Sequence, residues 1–474
     1  MTGRSAPQNG SALTLLVLGA SGDLTARLLL PGLGGLLAAG RAPGTELIGS
    51  GIEDWTQGRW TAQVVESFAA AGAAGEQVDE AVARTRYLAA DCTDPAQLRR
   101  LLDACPGPVA IYFALPPPVT VSTVRALADV GAPPGLRLVL EKPFGTDAAS
   151  ARALNEQLAA LVPEDQIHRV DHFLGRSTVL NLLGLRFANR VLEAVLTAEH
   201  VERVDVVFDE QLGLEGRAGY YDGAGALVDM VQSHLLQVLG LLTMEAPATL
   251  GAGDLRESKA SALRSTTVWG GDPVASSRRA RYTSGTVADR TLPAYAQSTG
   301  VDPARGTETL AEMVLAVDTP RWAGVPFTLR SGKALGHARK EAVVTFKAAP
   351  GVPAGFSGKQ QPERLRIGFG PDGVSLDLNV NGPGDPFEIE RTTMAADFGP
   401  GELSAYGEVL AGVLGGDPTL SVRADTAEQC WRIVAPVLAA WRENLVPLEE
   451  YAAGSDGPSA WCNSDGAGQP QDGS

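Results

Sequence analysis

Residues 169–177, RVDHFLGRS, gather two arginines, an aspartate, a histidine and a glycine in a chain with only five histidines. Residues four apart on a helix share a face, so His172 and Arg176 would converge on one anion while Asp171 points elsewhere. The plainer alternative is an aspartate capping a short helix whose charged face is solvated. His234 lies in the apolar segment MVQSHLLQVLG. It is either a satisfied core residue or a general base, and a base needs a carboxylate to orient it. Asp229, five residues upstream, sits about 500° round an α-helix and so off that face, which leaves Asp171 as the better candidate. Lys142, in EKPFG, directly follows a predicted strand, a place for ligand contacts in open sheets and equally for surface lysines. In GASGDL (19–24), Gly19 and Gly22 with Ser21, Asp23 and Leu24 would let backbone amides close on a pyrophosphate at a helix N-terminus. Simple chain reversal asks for the same glycines, and the GxGxxG fingerprint is absent. FALPPP (113–118), with Ala114 and Pro116, would end a second strand beside the same ligand.

The elements that must position these groups follow from periodicity. LTLLVLGASGDLTARLLLPGLGGLLAAG (13–40) reads as strand, tight turn and helix. TELIGSG (45–51), VAIYFALPPP (109–118) and GLRLVLEKPFG (135–145) predict further buried strands, with room for a helix between each pair. That alternation predicts a parallel sheet with helices on both faces, a Rossmann-like α/β dinucleotide-binding domain over 13–179. VERVDVVFDEQLG, KEAVVTFKA, RLRIGFG and GVSLDLNVN alternate apolar with polar at period two, as antiparallel strands with one wet face do. A larger α+β domain with a mainly antiparallel sheet is expected over 180–458, with helices over 226–245 and 426–444. Residues 1–12 and 459–474 read as disordered tails.

A formal charge of −16 and a pI of about 4.9 argue against a nucleic-acid or anionic-membrane partner, so a phosphorylated ligand needs a local basic pocket. SSRRARY (276–282), the densest positive cluster, reads as a solvated strand edge. Cys92, Cys105, Cys430 and Cys462 show no CxxC pair and no Cys/His ligand spacing, so neither a disulfide framework nor a zinc site is indicated. A reducing cytosol is the expected setting. No apolar stretch approaches membrane-spanning length. After the second predicted strand, LIGSGIEDW brings Ile52, Glu53 and Asp54 to its end. An acidic residue there accepts a hydrogen bond from an unphosphorylated ribose and repels a 2′-phosphate. The other reading is that Glu53 and Asp54 cap the next helix.

In this order, GASGDL, YFALPP, EKPFG, RVDHFLG, NLLGLRFAN, EGRAGYYD, SHLLQVL, TETL, RWAGVPFTLRSGKAL and GSDGP resemble blocks of the glucose-6-phosphate dehydrogenase family, collinear from residue 19 to 458. The resemblance implies oxidation of C1 of glucose 6-phosphate to 6-phosphoglucono-1,5-lactone, the entry step of the pentose phosphate pathway. It implies His234 as general base and Asp171 as the carboxylate that orients it. It implies His172, Arg176 and Lys333 on the sugar phosphate, and Lys142, Glu210 and Asp229 on sugar hydroxyls or the reacting centre. Gly19, Ser21, Gly22, Asp23, Leu24, Glu53, Ala114, Pro116 and Lys142 would line the cofactor site. The family expectation is NADP, whereas Ile52 stands where an arginine for the 2′-phosphate is usual, and with Glu53 it favours NAD; Arg59 is the nearest replacement cation. Phe173 replaces the usual tyrosine, Arg176 a lysine and Leu28 a lysine near substrate and cofactor. These departures keep open a paralogue acting on another sugar phosphate, or a non-catalytic sensor of sugar phosphate or nucleotide. The family's habit also implies a homodimer or homotetramer built through the second domain's sheet.

Overall fold

Thr14–Leu18 (β1) is buried at all five positions, as an apolar strand covered on both faces must be. In the computed structural model, which describes residues 13–216, 218–399 and 401–462, it lies in the middle of a seven-stranded sheet. Its companions are Glu46–Gly51 (β2), Arg86–Ala89 (β3), Val109–Phe113 (β4), Arg137–Glu141 (β5) and Ile167–Val170 (β6). The order is β6-β5-β4-β1-β2-β3, all parallel, with Leu16 level with Ile48 on one side and Ile111 on the other. Chain order therefore reverses between β1 and β4, and the crevice beyond their carboxyl ends is the topological switch point where open α/β sheets bind ligands. Ser421–Val422 completes the sheet, antiparallel to β6.

The chain folds as two compact units, and neither is one continuous stretch. The first comprises Met1–Leu180, Glu245–Ala260 and Pro400–Trp431; the second comprises Asn181–Met244, Ser261–Gly399 and Arg432–Ser474. Chain order had placed 245–260 and 400–431 in the second domain. Long-range bonds account for the difference. Ser421–Val422 pairs with β6, Arg137 donates to the carbonyls of Val413 and Leu414, and Trp431 Nε1 donates to Phe144 O at 2.9 Å. The predicted tails at 1–12 and 463–474 lie outside the described residues. Within the tail expected from 459, Ser459–Cys462 forms a helical turn and Trp461, 1 % exposed, donates Nε1 to Glu449.

The second unit is built on an eleven-stranded sheet with Val201–Asp209 (β7) near its middle. Pairing is mainly antiparallel, but β7 runs parallel to Phe327–Gly332, and Leu448–Ala452 runs parallel to Ser277–Thr283. Ser277–Thr283 is not the solvated edge read from SSRRARY, since it is paired on both sides. Arg279 is 6 % exposed and donates to Val446 O, while Arg278 pairs with Glu312. Ala218–Thr243 is a helical run long and apolar enough to cross a membrane, which the sequence reading did not register; 83 % of its most apolar window is buried inside the protein, as in a core helix. The run is interrupted at Gly225 (φ 68°, ψ 174°) and proceeds from Leu227 to Leu235 as a π-helix.

Candidate active site

At the switch point, Gly19 has φ +82°, and a Cβ added there would stand 2.2 Å from the Ala114 carbonyl oxygen. Only glycine lets the turn after β1 approach the end of β4 so closely. The structure thus brings GASGDL and Ala114 together, as expected, and Pro116 leads into the helix Pro117–Val130. Ser21 Oγ donates to Glu53 Oε2 at 2.6 Å, tying that turn to the end of β2. The helix after β2 begins at Gln57 and is capped by Thr56, whose hydroxyl accepts from Arg59 N–H, so Glu53 and Asp54 are not its cap. Glu53 is held from behind, where Tyr87 donates to its carbonyl at 2.8 Å. Ile52 is 78 % exposed, and the Arg59 guanidinium lies over the Trp55 ring, 4.2 Å from its centroid. A glycine turn at a strand-helix junction, with a carboxylate at the end of the next strand, is chemistry that suits a dinucleotide.

In the same unit, the helical face expected to join His172 to Arg176 does not form. His172–Gly175 is a single 3₁₀ turn, and Arg176 leaves it in extended conformation (φ −78°, ψ 129°). Asp171 caps that turn, accepting from Phe173 N–H at 2.9 Å, so the capping alternative is realised. Arg176 lies 4.7 Å from the centroid of the Phe173 ring. The His172 ring stacks on Tyr406 at 5.6 Å and 16°. Tyr406 also hydrogen-bonds Glu141, which accepts from Tyr112 as well. Burial pushes the Glu141 carboxyl up to about 7 against those hydroxyls and the neighbouring Lys142 charge. Sequence reading missed Tyr406, since nothing local marks a residue 234 positions beyond His172 as its stacking partner.

In the second unit, Glu210 and Lys333 follow the parallel neighbours β7 and Phe327–Gly332, whose ends are level (Asp209 with Gly332). That register brings Lys333 Nζ to 2.8 Å from Glu210 Oε2 and 5.2 Å from the Tyr221 ring centroid. Asp229 and the buried His234 lie on the π-helical stretch, where Leu236 N–H bonds five residues back to Val231 O. Bonding at i+5 widens the turn, so residues five apart come close to one face; the α-helical geometry that set Asp229 aside does not hold here.

A parallel sheet with a glycine turn at its switch point, joined to an α+β unit carrying a buried histidine and a carboxylate–lysine pair, defines a two-domain nicotinamide-dependent oxidoreductase. Comparison with known proteins narrows the class. The family model "Glucose-6-phosphate dehydrogenase, NAD binding domain" matches residues 16–181, and "Glucose-6-phosphate dehydrogenase, C-terminal domain" matches 183–464. The chain is 38 % identical to a glucose-6-phosphate 1-dehydrogenase of Gluconobacter oxydans over 94 % of both, and 35 % identical to one of Treponema pallidum over 94 % of this chain and 92 % of that one. A glucose-6-phosphate 1-dehydrogenase crystal structure from Mycobacterium avium superposes with a TM-score of 0.83 at 31 % identity, covering 95 % and 96 % of the two chains. A glucose-6-phosphate dehydrogenase in complex with glucose 6-phosphate superposes with a TM-score of 0.85 at 28 % identity, covering 97 % and 98 %. The chain belongs to the glucose-6-phosphate dehydrogenase family.

Proposed function

We propose that this protein oxidises C1 of glucose 6-phosphate to 6-phosphoglucono-1,5-lactone. The observation that carries the reading is likeness along nearly the whole chain to a dehydrogenase bound to that sugar phosphate, with the expected residue types at the expected strand ends. When bound, the nicotinamide dinucleotide supplies the acceptor for the C1 hydride. His234 takes the C1 hydroxyl proton and Asp171 fixes the imidazole orientation. His172, Arg176 and Lys333 hold the phosphate. Glu210 and Asp229 accept from sugar hydroxyls, and Lys142 donates near the reacting centre. Arg176 presents a planar fork in place of a point ammonium, which suits two phosphate oxygens at once.

For the cofactor the reading is a preference for NAD. Glu53, steadied by Ser21 and by Tyr87, is a ready acceptor for a ribose hydroxyl and a poor neighbour for a 2′-phosphate. Arg59 rests on Trp55, and Ile52 supplies no charge. Initial rates of nicotinamide reduction with glucose 6-phosphate, run in parallel with NAD and NADP, test both parts. Higher kcat/KM with NAD supports the cofactor reading, and higher kcat/KM with NADP refutes it. Turnover by His234→Asn equal to that of the parent would end the assignment of the base.

We propose further that a second copy of the chain covers the strand Glu388–Asp397, nine of whose ten positions are exposed, together with the neighbouring Phe387 and Phe398. Met394 and Phe387 are 63 % and 61 % exposed there, apolar area that a copy of the same sheet would bury. Light scattering that finds only a monomer at micromolar concentration would contradict this. The thiols of Cys92 and Cys105 fit a reducing, cytoplasmic setting, which localisation of a tagged chain would check.

A further inference from the structure

The helix that carries Asp229 and His234 begins at a break in the chain's helical run. Its run is broken at Gly225, whose φ of 68° and ψ of 174° belong to a region open essentially to glycine alone. A Cβ on Gly225 would lie 2.3 Å from Glu308 Oε1, so the missing side chain is what lets the Glu308 carboxylate reach the backbone. Glu308 Oε1 accepts from Leu227 N–H at 2.9 Å, and Glu308 O accepts from Ala226 N–H at 3.3 Å. In an unbroken α-helix those two amides would bond four residues back. Here both are answered from outside, at the point where bonding by i+5 begins.

Glu308 is itself buried beside the sheet. It is 6 % exposed and precedes the strand Leu310–Val317. Its neighbour Thr309 is fixed on both sides: Thr309 N–H donates to Ala280 O, and Thr309 O accepts from Lys333 N–H, each at 2.9 Å. The dipeptide Glu308–Thr309, just ahead of that strand, therefore holds both the start of the His234 helix and the backbone of Lys333.

We infer that Glu308, acting with Gly225, is a positioning residue that imposes the π-helical register bringing Asp229 and His234 toward one face. The inference rests on the proposed roles of those two residues, and it goes beyond them by naming the group outside the helix that places them.

The test compares Glu308→Met, similar in length but without an acceptor, with Glu308→Gln, which keeps a carbonyl oxygen for Leu227 N–H. Glu308→Asp keeps the charge and falls short of the amide. Expected for Met and Asp is a kcat at least 30-fold down, with a smaller rise in KM for glucose 6-phosphate, because Asp229 moves with His234 while Lys333 stays tied to Thr309. Gln should restore kcat to within threefold of the parent. If Met and Asp lower Tm but keep kcat, Glu308 is merely structural and the inference is overturned. If Gln is as slow as Met, charge and not the hydrogen bond is at work, and it is again overturned. Should the parent itself not turn over glucose 6-phosphate, the proposed function falls, and a crystal structure of Glu308→Asp judges the register separately. Leu236 N–H moved to Gln232 O supports the inference; Leu236 N–H still on Val231 O refutes it.

Discussion

Replacing Glu308 by Gln should stabilise the protein in alkali and leave it unchanged in acid. Burial raises the Glu308 carboxyl from its ordinary 4.5 to about 7, against the opposing amides of Leu227 and Ala226 and the charge of Arg279. Below pH 4.5 the side chain is protonated in folded and unfolded chains alike and stability does not depend on it. Between 4.5 and 7 the unfolded chain gives up its proton and the folded chain keeps it, so stability falls as pH rises. Above 7 both forms are ionised and the loss levels off. At about 1.4 kcal/mol per tenfold, the plateau is on the order of 3 kcal/mol. A Gln side chain carries no such dependence. Urea unfolding of the two proteins from pH 4.5 to 8.5 should give curves that coincide at the acid end and diverge by about 2–3 kcal/mol in favour of Gln at the alkaline end. Glu141, also pushed up to about 7, and Asp209, pushed up to about 6 by burial against the pull of Arg330, titrate in the same window. Both are present in both proteins, so they cancel in the difference. Curves that stay parallel across the whole range would show that Glu308 ionises as a solvated carboxyl does, and would refute the reasoning.

Gly19→Ala forces a side chain into left-handed backbone and 2.2 Å from the Ala114 carbonyl. Dinucleotide binding, followed by fluorescence titration, should weaken at least tenfold, with stability down by about 2 kcal/mol or more. Full-affinity binding would mean that the turn does not carry the pyrophosphate. His168, fully buried with Nδ1 3.1 Å from Ser421 Oγ, is held down to about 4 by burial and then by the charges of Arg137 and Arg256. Its folded value lies below the unfolded 6.5, so stability is lost as pH falls from 6.5 to 4 while the unfolded chain alone takes up the proton. His168→Phe should therefore raise the melting temperature relative to the parent more at pH 5 than at pH 7.5; an equal change at both would refute the assignment.

Much of the fold is legible because its strands are written in a local code. β1, β2, β4 and β5 are apolar runs ending in glycine, proline or charge, and a strand buried on both faces needs nothing more. Local code fails where a partner is distant. No feature of 400–431 says that Ser421 will pair with Val170 or that Tyr406 will stack on His172. It fails again where helical geometry was taken for granted. The i+4 argument for His172 and Arg176 assumed an α-helix where a single 3₁₀ turn stands, and the argument against Asp229 assumed 3.6 residues per turn where the bonding is i+5. Glu308 sat inside a recognised block, TETL, yet a glutamate before a strand carries no mark of what its carboxylate will hold.

The candidate groups divide by what carries them. Gly19, Ala114, Lys142, Asp171, Glu210 and Lys333 each occupy the first position after a strand: β1, β4, β5, β6, β7 and Phe327–Gly332. A strand paired on both sides fixes the Cα of the residue that leaves it, so these groups inherit their positions from ladders already required by the fold. His234 is different, lying mid-helix in a run where a change of one residue in the bonding register swings a side chain by about 100°. A base carried that way needs its register set from outside the helix. The sheet supplies this through Glu308, two residues ahead of the strand Leu310–Val317, which is hydrogen-bonded to Phe327–Gly332, the strand that Lys333 follows. The helix-borne groups Asp229 and His234 are thereby referred to the same sheet that carries Glu210 and Lys333.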